Sequence, residues 1–404
     1  MSKKANKTYY LISQLCEVVD CEHKTAPYID FSEYLVVRTS NVRNGTLLFN
    51  DIKYTTKEGF IEWTQRAVPE HGDVLFTREA PAGETCLVPP SLKICMGQRM
   101  VLLRPNKNLI NPHFLSFYLA TKQCRREIYE YVIGSTVTRI NIDDILKIKI
   151  FCPSIAEQEK IASFLGAIDT RLTQLRRKHE LLQTYKRGVM QKIFSQEIRF
   201  KGDRGKPFPD WEKKSLGEIV VGGFSNGVFN DPNRLGRGYR LINVKDMYNG
   251  NVIDINSLSR LELDEQEFKR NKAEYGDIFF TRSSLVKEGI AHSNILLSRD
   301  QDITYDGHLI RFRFNRKNYL PEFISLALKA SAARKQLVSR GKTGTMTTIG
   351  QDDISTVKIS IPSKPEQEKI ADLLTAIDRK IEAVSRQVNL TEQFKKGLLQ
   401  KMFV

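Results

Sequence analysis

The sequence predicts a mixed α/β (α+β) protein made twice over, with two globular modules alternating with two long helices in one duplicated chain. Three observations predict this. Residues 153–194 realign without a gap on residues 362–403, with 19 of 42 positions identical, and "EQEKIA" recurs 209 positions apart. In each copy the apolar residues follow alternating spacings of four and three, the period of a helix that buries one seam. The segments before each copy resemble one another sparsely but in order, which extends the duplication to the whole chain.

The first segment, residues 1–152, reads as short strands bounded by turn residues ("EYLVVRTS", "GDVLFTR", "RMVLLRP") followed by a helical stretch, "NPHFLSFYLATKQCRREIYEYV". The segment 205–361 repeats the plan: "RTSNV" at 38–42 parallels "RLINV" at 240–244, and "HGDVLFTR" at 71–78 parallels "YGDIFFTR" at 275–282. "NPHFLSFYL" likewise parallels "LPEFISLAL", and "STVTRINIDDILKIKI" parallels "GTMTTIGQDDISTVKI". Shared letters are mostly Gly, Asp and apolar residues, the types that hold a scaffold, while the letters between them differ. Strand order is not fixed by this reading.

Each repeated helix opens on a start signal. Ser154-x-x-Glu157 and Ser363-x-x-Glu366 are spaced as capping boxes, and Pro153 and Pro362 stand where a helix has not yet begun. The seam of the first runs Ile161, Leu165, Ile168, Leu172, Leu175, His179 and Leu182. That of the second runs Ile370, Leu374, Ile377, Ile381, Val384, Val388 and Thr391. Leu181, Tyr185, Leu390 and Phe394 lie off this line, so the apolar stripe is expected to shift around the helix. About 40 residues make roughly 60 Å of helix, and a lone helix with such a stripe needs a partner. Pairing of the two copies is the economical solution, and packing of each on its own module is the alternative. The boundaries expected are a module at 1–152, a helix and linker at 153–204, a module at 205–361 and a helix at 362–404. The linker "RFKGDRGKPFPDWEKKSLGEI" is rich in Gly, Pro and charge.

Sixty-three Lys and Arg against 47 Asp and Glu give a formal charge of +16, a balance that fits a polyanionic partner. Six cysteines (Cys16, Cys21, Cys86, Cys95, Cys124, Cys152) crowd the first half without a C-x-x-C pair, which suits free thiols in a reducing cytoplasm. The start of the chain carries no apolar leader and no 18 apolar residues run together, so a soluble cytoplasmic protein with no membrane partner is expected.

Catalytic patterns fail. "GKTGT" at 341–345 lacks the glycine that a phosphate loop needs, because Gln336 stands there. "PDWEKK" leaves no room for the two strands of a nuclease site. "VPPS" is not an amino-methyltransferase loop, "GRG" at 236–238 lacks a third glycine, and the six histidines have no metal spacing. The chain is read as a non-catalytic protein with no metal or cofactor of its own. What remains is polar surface suited to nucleic acid. The first module offers Arg38, Arg78, Glu79, Thr136, Thr138, Arg139 and Asn141; the second offers Arg240, Arg282, Ser283, Lys287, Arg340, Lys342, Thr345, Thr347 and Thr348. Arginine and lysine suit guanine edges and phosphates, and hydroxyls suit either.

Two divergent modules, each followed by a "PS-x-x-EQEKIA-x-x-L-x-x-A-I-D" helix, resemble the specificity subunit of a type I restriction–modification system, as do the paired "GD[VI][LF]FTR" motifs and "GKPFPDWE". The resemblance spans the chain. It implies two target recognition domains, each reading one half of an asymmetric bipartite double-stranded DNA target. It implies antiparallel pairing of the two helices, a pseudo-two-fold scaffold, and attachment of two methyltransferase (modification) subunits for adenine methylation or restriction. S-adenosylmethionine, ATP and Mg are then expected on the methyltransferase and restriction/translocase subunits. The rival reading is a non-catalytic coiled-coil scaffold that binds DNA without sequence preference.

Overall fold

The computed structural model describes residues 8–229 and 231–403. The chain divides into two compact units, Met1–Arg177 with Val384–Val404, and Lys178–Ala383. The long helices, Ile155–Phe194 and Lys364–Met402, each contribute one part to each unit.

In the first unit a four-stranded antiparallel sheet runs Cys16–Asp20, Met100–Pro105, Val74–Thr77, Thr85–Leu87. Its central strands, Val74–Thr77 and Met100–Pro105, are rich in apolar residues because both faces are covered. Val74, Phe76, Val101 and Leu103 face the helix Pro112–Leu119 and the long helices, while Leu75, Met100 and Leu102 face a second sheet. That second sheet runs Lys53–Thr55, Tyr34–Val37, Lys93–Met96, its last two strands parallel. Tyr9–Leu11 pairs with Lys149–Phe151 where the module meets its long helix.

The second unit repeats these three sheets strand for strand. Ser225–Asn226, Leu309–Phe312, Ile278–Thr281 and Ser293–Ile295 form the central sheet. Ser259–Leu261, Leu235–Ile242 and Ile303–Tyr305 form the mixed one, and Glu212–Ser215 pairs with Lys358–Ile361. Ile278, Phe280, Ile310 and Phe312 again face the helices, and Phe279 and Leu309 the mixed sheet. The shared letters of the two modules carry this frame. Gly72 and Gly276 hold φ of 101° and 83°, the left-handed region that favours glycine. The aspartates that follow are buried against arginines of the neighbouring strand's end, Asp73 with Arg104 and Asp277 with Arg313.

Seam residues Ile161, Leu165, Ile168, Leu172 and Leu175 are buried, as are Ile370, Leu374, Ile377 and Val384; Ile381 and His179 are half-buried. Self-pairing and packing on the module are not alternatives but occur together. In the first unit Ile161 to Leu172 share one core with Phe114, Leu115 and Tyr118 of the module and with Phe403 at the end of the other helix. In the second, Ile370, Leu374 and Ile377 share a core with Phe323, Ile324 and Ile193. Within each unit the helices run antiparallel. Asp169 meets Lys395 (2.5 Å) and Arg176 meets Glu392 (2.6 Å) in the first, and Lys186 meets Asp378 (2.6 Å) in the second. Asp169 and Asp378 are the same repeat position, and so are Lys186 and Lys395.

The capping boxes form only in part. Ser154 Oγ accepts from Glu157 N at 3.4 Å, but Ser363 Oγ has no hydrogen-bond partner. The Glu366 carboxylate is instead buried under Arg199 (2.9 Å) and Trp211 Nε1 (3.2 Å), because the linker is a strap held across this helix start. The same strap places Lys369 over the Phe208 ring and bonds its ammonium to Lys201 O (2.7 Å). The glutamine of "EQEKIA" serves both copies alike. Gln158 accepts from Asn111 N (2.8 Å) and donates to Pro153 O (2.9 Å); Gln367 accepts from Leu320 N (2.8 Å) and donates to Pro362 O (2.9 Å). Both are fully buried, so each side chain ties the first helical turn to the loop that starts the module's own helix.

Candidate nucleic-acid interface

At one edge of each central sheet three loops meet, fixed by backbone hydrogen bonds. After Thr77 the chain leaves the sheet at Arg78. Arg78 N donates to Arg99 O (2.8 Å), and Arg78 O accepts from Ile140 N (2.9 Å). After Thr281, Arg282 N donates to His308 O (3.0 Å) and Arg282 O accepts from Ile349 N (3.0 Å). Beyond these arginines Glu79 bridges to Arg139, and Ser283 and Ser284 pair with Thr348 and Thr347. The parallel letters of the two modules thus build one frame, and the differing letters lie on its loops.

In the first unit the frame gathers Arg78, Glu79, Thr136, Thr138 and Arg139. Thr136 and Arg139 are exposed, and Asn141 follows them at the start of the helix Ile142–Ile145. Arg78 is turned inward to Asp20 (3.2 Å), and Thr138 O accepts from Ala80 N. In the second unit the frame gathers Arg282, Ser283, Lys287, Lys342, Thr345, Thr347 and Thr348. Arg282 and Lys287 are exposed and free of side-chain partners among the described residues, and Thr345 caps the turn of a hairpin formed by Lys342–Thr343 and Thr347–Thr348. The string "GKTGT" is therefore a hairpin. Thr347 is buried at 2% exposure, and Lys342 pairs with Asp353 (3.2 Å).

Three of the arginines named from sequence are held by partners within the fold. Arg38 pairs with Asp51 (2.7 Å). Arg240 forks onto Asp300 and Asp302, and the guanidinium holds the Asp302 carboxyl below the usual carboxylate range. Arg340 closes its own helix end, bonding Gln336 O (2.9 Å) and Thr356 Oγ1 (2.7 Å).

Sequence reasoning missed Arg99 and His308. They occupy one position of the frame, just before Met100–Pro105 and Leu309–Phe312, and their carbonyls receive the amides of Arg78 and Arg282. Arg99 pairs with Glu79 (2.8 Å) and borders, with Arg38, Thr39, Ser40 and Gln98, a hollow of about 250 Å³. His308 is 58% exposed, bonded to Asp306 through Nδ1 (2.8 Å), with the ring of Phe229 edge-on to it. The alignable strings "GQRMVLLR" and "DGHLIRFR" were the available signal.

Among the described residues no three His, Cys, Asp or Glu side chains gather as a metal site, and no helix is long and apolar enough to cross a membrane. All six cysteines are free thiols, five of them buried.

A sequence model described as the type I restriction modification DNA specificity domain matches residues 8–183 and 209–392, so that both matches end at the same repeat position. The chain is 24% identical over 368 residues to the type I restriction enzyme EcoKI specificity subunit of Escherichia coli, covering 88% of this chain and 78% of that one. It is 24% identical over 357 residues to the MjaIX specificity subunit of Methanocaldococcus jannaschii, covering 86% and 80%. The crystal structure of a type I restriction–modification S subunit from M. genitalium shares the fold, with a TM-score of 0.61, 17% identity and coverage of 100% and 98%. A chain solved in a study of type I R-M complex assembly and conformational transition gives 0.58, at 17% identity and coverage of 100% and 99%. With the family's domain matched twice along its length, the chain belongs to the type I restriction–modification DNA specificity family.

Proposed function

We propose that this chain is the DNA-recognition subunit of a type I restriction–modification complex, and that it binds an asymmetric bipartite double-stranded target, one half per module. The observation that carries the reading is the three-loop edge. Two modules of one topology present the same backbone frame with different side chains, Glu79, Arg99 and Arg139 in one, Ser283, His308 and Thr348 at the same positions of the other. Equal frames suit equal docking on DNA, and unequal side chains suit unequal half-sites. We assign the recognition domains to 1–152 and 205–361, and the repeated helices to 153–204 and 362–404. Arg38, Arg78, Arg240, Arg340 and Thr347 support the loops from behind, since their side chains are already paired or buried.

The chain has no chemistry of its own in this proposal. S-adenosylmethionine sits on two modification subunits, and ATP and Mg on restriction/translocase subunits. Two partners of one kind suit a surface that occurs twice. Leu181 and Tyr185 are 52% and 57% exposed, and Leu390 and Phe394, at the same repeat positions, are 58% and 55%. Apolar pairs of this size left in water, once per unit, fit a shared partner surface. Free thiols and a DNA substrate fit the cytoplasm.

Methylation mapping in cells carrying the cognate modification subunit, with and without this chain, tests the reading. A new asymmetric bipartite motif that appears only with the chain supports it, and exchange of residues 205–361 should then change one half of that motif alone. Binding with no sequence preference would favour the scaffold reading.

A further inference from the structure

The loop of residues 282–289 in the second unit ends in two large apolar side chains turned to solvent, Leu285 at 84% and Val286 at 61% exposure. Beside it the hairpin tip carries Met346, 40% exposed. Apolar side chains on a slack loop would fold back on the module, but this loop is held open. Arg334 donates to three carbonyls at and just beyond its far end, those of Glu288 (2.9 Å), Ile290 (2.9 Å) and Ala291 (2.7 Å). Ser284 Oγ accepts from Val286 N (3.3 Å), the backbone of Ser283–Ser284 pairs with the hairpin, and Ile290 and Ala291 are buried. The tip is therefore ordered before any partner arrives, so little conformational freedom is lost when it is covered. Arg282 and Lys287, both exposed and unpaired among the described residues, bracket the apolar tip in sequence and mark a polyanion as the partner. The matching loop of the first unit, residues 78–84, has Ala80 and Pro81 at this place and no large apolar tip.

We infer that Leu285, with Val286, is a base-contacting, specificity-determining element of the second module, seated on apolar base surface of duplex DNA while Arg282 and Lys287 take adjoining phosphates. The inference rests on the functional reading above. Arg334 is the positioning residue that fixes the tip. Apolar contact with bases discriminates between sequences, whereas phosphate contact does not.

The test uses the full complex with its modification subunits and two duplexes of equal length and composition, one bearing the mapped target and one scrambled. Leu285→Ala should bind the target about ten-fold or more weakly, the lower end of what covering a leucine is worth. Its affinity for the scrambled duplex and its salt slope should not change, because no charge is lost. Lys287→Ala should instead weaken both duplexes and reduce the slope. An unchanged melting temperature of Leu285→Ala, expected for so exposed a side chain, guards against misfolding. Equal affinity of Leu285→Ala and wild type for the target overturns the inference, as does an equal loss on both duplexes. A wild-type complex that fails to prefer its target overturns the functional reading, and this inference with it.

Discussion

Removing the carboxylate of Asp378 should cost far more than removing that of Asp169, although the two occupy one position of the repeat and each meets the lysine of another single repeat position. Asp378 and Lys186 are both 14% exposed, with Nζ at 2.6 and 2.7 Å from the two carboxylate oxygens. Asp169 and Lys395 are 40% and 24% exposed. An exposed pair contributes about 0–1 kcal/mol, whereas breaking a buried pair costs about 3–5 kcal/mol because a charge is left uncompensated. A third group widens the gap. Lys329 lies close enough to feel both partners: burial and then Lys186 push its pKa down to about 8, and Asp378 draws it up. In Asp378→Asn two cations face each other without an anion. Lys329 can escape by releasing its proton, which at pH 7 costs about 1.4 kcal/mol for a pKa one unit higher, so its share of the penalty is capped there. The expected cost is about 3–4 kcal/mol for Asp378→Asn and at most about 1 kcal/mol for Asp169→Asn, read from urea unfolding of the whole chain. In the variant the pKa of Lys329 falls further, so its share grows as pH drops below 8 until the lowered pKa is reached, and is lost as pH rises through 8. Lys329→Met should therefore stabilise the Asp378→Asn background by about 1 kcal/mol more at pH 7 than it stabilises the wild type. Equal costs at the two aspartates would refute the argument that burial decides the worth of the repeated pair.

Further outcomes follow from the same contacts. Arg199→Ala leaves the Glu366 carboxylate buried with Trp211 Nε1 alone and should destabilise by about 3–5 kcal/mol, with Glu366→Gln in the same background recovering part of it by calorimetry. Lys329→Met alone should stabilise the chain near neutral pH: the folded-state pKa of about 8 lies below the ordinary 10.5, so the destabilisation by wild-type Lys329 is complete below pH 8 and fades toward 10.5, and the difference in unfolding free energy should shrink by roughly 3 kcal/mol over that window. Phe403→Ala removes a side chain that is 2% exposed, packed on Phe114 and Tyr118, and should cost about 3–5 kcal/mol, seen as early loss of hydrogen-exchange protection in Pro112–Leu119.

The long helices, their seam and the duplication were legible because they rest on local periodicity and on letters that repeat. Long-range geometry was not. The parallel pairing of Tyr34–Val37 with Lys93–Met96 joins segments some 60 residues apart, and no local pattern in either strand names the other. Contacts made outside the aligned strings hid the partners of the predicted DNA contacts. Arg38 and Arg240 align in sequence and look free, but Asp51 engages one, and Asp300 and Asp302 the other, from loops that do not align. The second capping box looked complete because its competitor, Arg199, stands 167 positions earlier. Arg99 and His308 were missed for the opposite reason: their positions align, but arginine and histidine share no letter, and only strand register brings them beside Arg78 and Arg282.

The letters that survive duplication are therefore a map of obligations rather than of recognition. Gln158 and Gln367 are polar residues at buried helical positions, where only a satisfied side chain is tolerated, and each satisfies its backbone partners in the same way. Asp73 and Asp277 are fixed by the arginines they neutralise, Gly72 and Gly276 by their φ, and Phe194 and Phe403 by the phenylalanines they pack against, Phe323 and Phe114. Each of these contacts is internal to a unit, so a change on either side is felt as lost stability. The loops carry some such obligations, with Thr347 buried and Arg78 and Lys342 paired to Asp20 and Asp353, but their frame rests on backbone bonds. Arg282–Ile349 and Arg78–Ile140 hold the frame through main-chain atoms that any residue except proline can supply, leaving the side chains free to differ. A protein that must change what it reads without changing what it docks to requires that separation, and under the proposed function the main chain carries the frame while the side chains would do the reading.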